Sequence, residues 1–158
     1  MSIVIDWNLT LNIASILVAV YSLVKMRTAQ QAEKAARRKL LNQMAAEDFD
    51  EMARSAAGLM ASVRSREWIR SAEIATALRS RLARATGSWP GLLNGPEKDN
   101  LAVASKGVNS VIETISVILP ADELEKVQGM MAQCNFTIEV LGEIAGRLKY
   151  LDESEGKQ

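Results

Sequence analysis

The sequence predicts an all-α protein: a single N-terminal transmembrane helix followed by a cytoplasmic antiparallel bundle of about four helices. Three observations lead there. Trp7 to Val24 is an 18-residue run without a formal charge. Downstream, apolar residues recur at alternating spacings of 3 and 4, which is helical periodicity. No convincing run alternates with period 2, so strands are not expected. A length of 158 residues allows one domain plus accessories. The expected division is a tail and membrane helix over residues 1–27, a bundle over 28–151 and a flexible acidic tail over 152–158.

The first element rests on length and flanking charge. Eighteen helical residues span about 27 Å, close to the ~30 Å of a hydrocarbon layer. Trp7 marks one end, and Tyr21 and Lys25 mark the other. A cleaved signal peptide would carry cations before the apolar run. Here the order is reversed: MSIVID is acidic, and Lys25, Arg27, Lys34, Arg37, Arg38 and Lys39 follow the run. The positive-inside rule then puts the N-terminus outside and the bundle in the cytoplasm, at the cell (inner) membrane.

Within the run, Asn8, Asn12, Ser15, Ala19 and Ser22 fall on one helical stripe. Leu9, Ile13, Leu17, Val20 and Val24 lie away from it and are expected to face lipid. Small and polar residues on one stripe let membrane helices approach and hydrogen-bond. The same stripe could line a water-filled path. Both uses need several copies, because one chain supplies one such helix.

The bundle helices follow in order. The first is expected to run from the membrane towards Arg64, with Ala45, Phe49, Met52, Ala56, Leu59 and Val63 inside and a possible break near Glu47–Asp50. Ser65 is placed to cap a second helix with Ser71, Ala75, Leu78, Leu82 and Ala85 inside, ended by Gly87. Gly87 to Pro96, GSWPGLLNGP, reads as a loop, with Pro96 suited to the first turn of a third helix. That helix carries Leu101, Ala104, Val108, Val111, Ile115 and Ile118, and Pro120 punctuates it. The last carries Leu124, Val127, Met131, Cys134, Ile138, Leu141, Ala145 and Leu148. Short turns make neighbouring helices antiparallel.

Charge divides the chain. Lys25 to Arg84 holds 13 basic and 7 acidic residues, whereas Gly87 to the end holds 6 and 11. The halves are expected to attract each other, or one of them to face an acidic surface. There is no histidine, which removes the commonest general base and metal ligand. The single cysteine, Cys134, rules out an intrachain disulfide and a thiolate zinc site. No cofactor, metal or catalytic residue is expected. Walker, G-x-S-x-G and G-x-G-x-x-G motifs are missing. Carboxylates at Glu47, Asp48, Asp50, Glu51, Glu139 and Glu143 read as solvated faces. Gly142 and Gly146 form a G-x-x-x-G, which signals close packing. Asn8-Leu9-Thr10 and Asn135-Phe136-Thr137 match the glycosylation acceptor pattern, one at the membrane and one in a helix, and both read as incidental.

Two cationic sets remain as candidate sites. Lys25, Arg27, Lys34, Arg37, Arg38 and Lys39 suit anionic headgroups, at about 1 kcal/mol per nearby cation, or serve only as a topology signal. Arg66, Arg70, Arg81 and Arg84 share an arc of about 60° if they stand on one helix. Such a row suits phosphates or an acidic protein. The bland use is salt bridging to the acidic half.

A membrane helix joined to a small histidine-free bundle is similar in layout to membrane effectors and accessory proteins of bacterial phage-defence systems. Some of those form rings whose membrane helices act on the bilayer. The resemblance implies a membrane-perturbing effector. Helical RNase-like bundles of such systems carry Arg-x4-6-His. The nearest string here, Arg147 to Asp152 (RLKYLD), has aspartate at that place, which departs from the nuclease pattern. The expected function is therefore a non-enzymatic, oligomeric single-pass membrane protein whose bundle gathers copies at the bilayer, with pore formation as a possible output. Its expected partners are the lipid bilayer and itself. The alternative is a membrane-anchored adaptor that offers its arginine face to an acidic protein, RNA or a nucleotide.

Overall fold

The computed structural model describes residues 7–89, 91–117 and 123–155, with side chains over 15–89, 91–117 and 124–151. It is all-α over those residues. Four helices follow in order: α1 (Trp7–Arg64), α2 (Trp68–Ser88), α3 (Gly95–Ser116) and α4 (Glu123–Glu155). The chain separates into two compact units, Met1–Leu40 and Leu41–Gln158.

The first unit contains the opening stretch of α1. From Ser15 to Leu40 every residue is exposed. Among the described residues, no helix is long and apolar enough to cross a membrane. The backbone from Trp7 is helical. The side chains of Asn8 and Asn12, half of the predicted polar stripe, lie outside the described residues. So do those of Trp7, Leu9 and Ile13.

The second unit is the bundle. Ala45, Phe49, Met52, Ala56, Leu59 and Val63 of α1 are all fully buried, as their spacing requires. The helix continues through Glu47–Asp50 without the expected break. It ends in a Schellman motif: Glu67 N–H donates to Ser62 O at 3.0 Å and Arg66 N–H to Val63 O at 3.1 Å. Arg66 occupies the left-handed position, with φ 60°. The N-cap of α2 is Glu67, which makes no side-chain capping bond, so Ser65 is not the cap.

Helix α2 buries Ser71, Ala75, Leu78, Leu82 and Ala85, and runs one residue past Gly87. Three contacts set it antiparallel to α1. The hydroxyls of Ser62 and Ser71 meet at 2.8 Å near the turn, and Arg81 reaches Asp48 and Glu51 further away. A capping box starts α3. Asn94 Oδ1 accepts from Glu97 N–H and Glu97 Oε2 accepts from Asn94 N–H, both at 2.9 Å. Pro96 sits in the first turn as predicted.

Helix α3 buries Leu101, Ala104, Gly107, Val108 and Val111. Ile115 is only partly buried, and Ile118 and Pro120 lie outside the described residues. Gly107 marks a close approach to α4, since a Cβ there would stand 2.5 Å from Gln133 Oε1. Helix α4 turns further than its apolar pattern indicates. Cys134, Leu141, Ala145 and Leu148 are buried as expected, joined by Met130, Thr137, Val140 and Ile144, while Val127, Met131 and Ile138 are half-buried and Leu124 is 68% exposed. The helix continues through the first acidic residues of the expected tail, to Glu155. Gly142 and Gly146 do not mark close packing within the chain: a Cβ at either would meet nothing within 4 Å.

Candidate functional site

The predicted site residues separate into one segment open on all sides and one group woven into the bundle. The open segment is the apolar–cationic stretch of α1. Ile16, Leu17, Val18, Val20, Tyr21, Leu23 and Val24 are between 54% and 64% exposed. These residues cover about 220° of the helix circumference, Ser15, Ala19 and Ser22 fall in the remaining arc, and every residue of the stretch is exposed. Burying one such side chain is worth about 1.5–3 kcal/mol, so seven of them favour an apolar environment by on the order of 10 kcal/mol. Ser15 and Ser22 stand exposed on the same segment.

Cations begin where the apolar residues end. Lys25 Nζ lies 5.6 Å from the ring centroid of Tyr21, one turn back, a cation–π pairing at the boundary. Arg27, Lys34, Arg37, Arg38 and Lys39 follow, all exposed. Each nearby cation contributes about 1 kcal/mol at an anionic surface. The apolar term is therefore the larger of the two.

The arginine row is altered by the fold. Arg66 lies in the turn before α2, so its direction is not set by that helix. Arg70 pairs with Glu67 at 3.1 Å on an exposed surface. Arg81 donates to Asp48 Oδ1 and to Glu51 Oε2, both at 2.9 Å. The hydrogen bond and charge of Arg81 hold the Glu51 carboxyl below its usual range. The same contacts, Glu51 first, raise the Arg81 pKa. Trp89 Nε1 donates to the other Asp48 oxygen at 3.1 Å. Arg84 turns back on its own helix, donating to Ser80 O at 3.3 Å. Asp48, Arg81, Arg84, Ala85 and Ser88 line a shallow groove of about 240 Å³. The partners of Arg81 come from α1, in the basic half, and not from the acidic half expected by charge count.

The second node also departs from that count. Arg147 of α4 binds both oxygens of Glu97 and donates to Leu92 O. It ties the loop, the capping box of α3 and the end of α4 together. The arginine of the RLKYLD string is thus a structural clamp, and the side chain of Asp152 lies outside the described residues. Lys149 pairs with Asp50. Asp48, Asp50 and Glu51 therefore face cations, which solvated faces would not require.

Chemistry of other kinds finds little support. Among the described residues no group of three or more His, Cys, Asp or Glu is arranged to hold a metal ion. Burial pushes the Cys134 thiol up to about 11, which keeps it protonated at neutral pH. Thr137 of the second glycosylation-like triplet is buried, donating to Gln133 O at 2.9 Å. A groove of about 430 Å³ lies between α3 and α4, floored by Val111 and Met130 with Ser110, Thr114, Glu125 and Lys126 among its walls. Residue spacing within one helix does not reveal this groove, because it depends on how the two helices sit against each other. No protein-family model, curated protein or solved structure matches this chain.

Proposed function

We propose that this chain is a non-enzymatic, single-pass membrane protein that assembles copies of itself at the bilayer. The observation that carries this reading is the all-round exposure of Ile16 to Val24 with a cation cluster directly after it. A helix that exposes apolar side chains over most of its circumference needs an environment that accepts them, and hydrocarbon does so while leaving the polar stripe to other copies. Trp7 to Val24 forms the span, with Lys25 and the following cations on the cytoplasmic side. In the span, Asn8, Asn12, Ser15 and Ser22 meet their counterparts in other copies, because a polar stripe in lipid seeks polar partners. The output is permeabilisation of the membrane or recruitment of a complex to it, as in a membrane effector.

The test uses full-length protein in detergent and in dye-loaded vesicles. Asn12→Leu should lower the assembled mass or the rate of dye release. Unchanged behaviour in both would remove the stripe from the account. An adaptor that offers Arg66, Arg70, Arg81 and Arg84 to an acidic protein, RNA or nucleotide is the weaker reading. Arg81 already faces two carboxylates and Arg70 a third.

A further inference from the structure

The polar stripe of the span does not stop at Val24. Asn8, Asn12, Ser15, Ala19 and Ser22 are followed in the same phase by Met26, Ala29, Glu33, Ala36 and Leu40, so the steps run 4, 3, 4, 3, 4, 3, 4, 3, 4. Spacing of 3 and 4 kept over more than four heptads is the pattern of a coiled-coil seam. The phase does not slip at Lys25, where the apolar run gives way to the cationic one. All ten positions belong to one unbroken helix, α1, so the sequence spacing is also the spacing on the helix surface.

Beyond the span this seam has no packing partner within the chain. Every residue from Lys25 to Leu40 is exposed. Met26 and Leu40, the two large apolar residues of that stretch, are 63% and 56% exposed, and both fall on the seam. Helices draw most of their stability from packing an amphipathic face, so this face calls for a second helix.

The charges fit a second copy of the same helix. Met26, Ala29, Glu33, Ala36 and Leu40 share an arc of about 80°, and Arg27, Lys34 and Arg38 stand about 120–160° from its centre. Two copies that meet on the seam keep those three cations on their outer faces. Lys25 and Arg37 flank the seam, about 60° to either side. Lys25 lies over the Tyr21 ring of its own chain. Arg37 follows Glu33, the one acid of the seam, by four residues, so facing copies bring both signs of charge into one layer. Insertion of every copy in the same direction, to the same depth, sets identical residues at the same height.

We propose that α1 of one copy packs on α1 of another as a parallel, in-register coiled coil, which continues the contact of the span through Met26, Ala29, Glu33, Ala36 and Leu40 to about 24 Å beyond Val24. The inference rests on the self-assembly reading and deepens it: it gives the contact its surface outside the bilayer and its register.

Disulfide cross-linking in membranes carrying the full-length chain tests it. Oxidation joins two thiols only at close approach, and Cys134 is buried, so the unmodified chain serves as the blank. Ala29→Cys and Ala36→Cys, on the seam, should each link to their own counterpart at least about tenfold more than Arg27→Cys, Lys34→Cys or Arg38→Cys. Leu40→Lys added to Ala36→Cys should cut the linked yield several-fold. Equal yields on both faces, no linked pair at Ala29→Cys and Ala36→Cys, linkage to a different protein, or a yield indifferent to Leu40→Lys would each overturn the proposal. Ala19→Cys, inside the span, separates the two claims. Linkage there with none at Ala29→Cys and Ala36→Cys overturns the extension and leaves assembly within the span. Linkage at none of the three removes self-assembly itself.

Discussion

Arg81 and Asp48 stand 2.9 Å apart across α1 and α2, and the other oxygen of Asp48 accepts from Trp89 Nε1. One carboxylate thus fixes both the rotational register of α2 and the residue that caps its end. Glu51 takes a second bond from the same guanidinium. Arg81→Ala should destabilise the bundle by about 1 kcal/mol, the range for a partly exposed ion pair of good geometry. Denaturant unfolding of the full chain in detergent measures it.

The pH dependence of that loss follows from Glu51. Arg81 depresses its pKa in the folded state, so the stabilisation is complete above the unfolded carboxylate pKa and fades as pH falls through the folded one. The gap between wild type and Arg81→Ala should therefore be largest near neutrality and close in acid, below the usual glutamate range. Unfolding curves for both proteins from neutral to acidic pH check this. A gap that widened in acid would contradict the assignment.

The helical stripes were legible in the sequence, and the side-chain pairings were not. Ala45 to Val63 and Ser71 to Ala85 are buried as their 3–4 spacing dictates, because an amphipathic helix has one way to hide its apolar face. Helix α4 was read one position off at Met131, since Leu124, Val127 and Met131 are apolar without being fully buried, while Thr137 is polar and buried. Periodicity reports what is apolar and not what is covered. The Asp48–Arg81 and Glu97–Arg147 pairs depend on the relative rotation of two helices, which spacing within one helix does not set. The arginine row failed at Arg66 because the turn consumed it. The polar stripe of the span was read at Asn8 and Asn12, whose side chains lie outside the described residues.

Arg66 provides a backbone test. It holds a left-handed conformation at φ 60°, in the position of a Schellman motif that glycine usually fills. A side chain there costs about 1 kcal/mol. Arg66→Gly should raise stability by roughly 0.5–1 kcal/mol, read as a higher Tm.

The serine pair predicts an asymmetry. Ser62 Oγ donates to Leu59 O at 2.9 Å, so the proton between the two hydroxyls comes from Ser71. Ser71→Ala removes one bond and leaves Ser62 satisfied, for about 1 kcal/mol. Ser62→Ala strands a fully buried hydroxyl and should cost more, about 1–3 kcal/mol. The double variant should be less destabilised than the sum of the two. Equal single losses would contradict this donor assignment.

Gly58 and Gly107 separate room from contact. Gly58 sits inside α1 with nothing within 4 Å of an added Cβ, so Gly58→Ala should stabilise by about 1 kcal/mol through helix propensity alone. At Gly107 the added Cβ displaces the amide of Gln133, which is flexible, so Gly107→Ala should gain less. Gly107→Leu should destabilise clearly, because the Gln133 Cβ already lies 3.6 Å away. Urea or thermal unfolding ranks the three.

The central claim is that Trp7 to Val24 holds the chain in a bilayer, and membrane extraction tests it most directly. Membranes carrying the full-length protein are washed with alkaline carbonate, which strips surface-bound proteins, and then floated on a density gradient. The protein should stay with the floating membranes, and Leu17→Lys with Val20→Lys should release it. Full-length protein left in the wash would contradict the account.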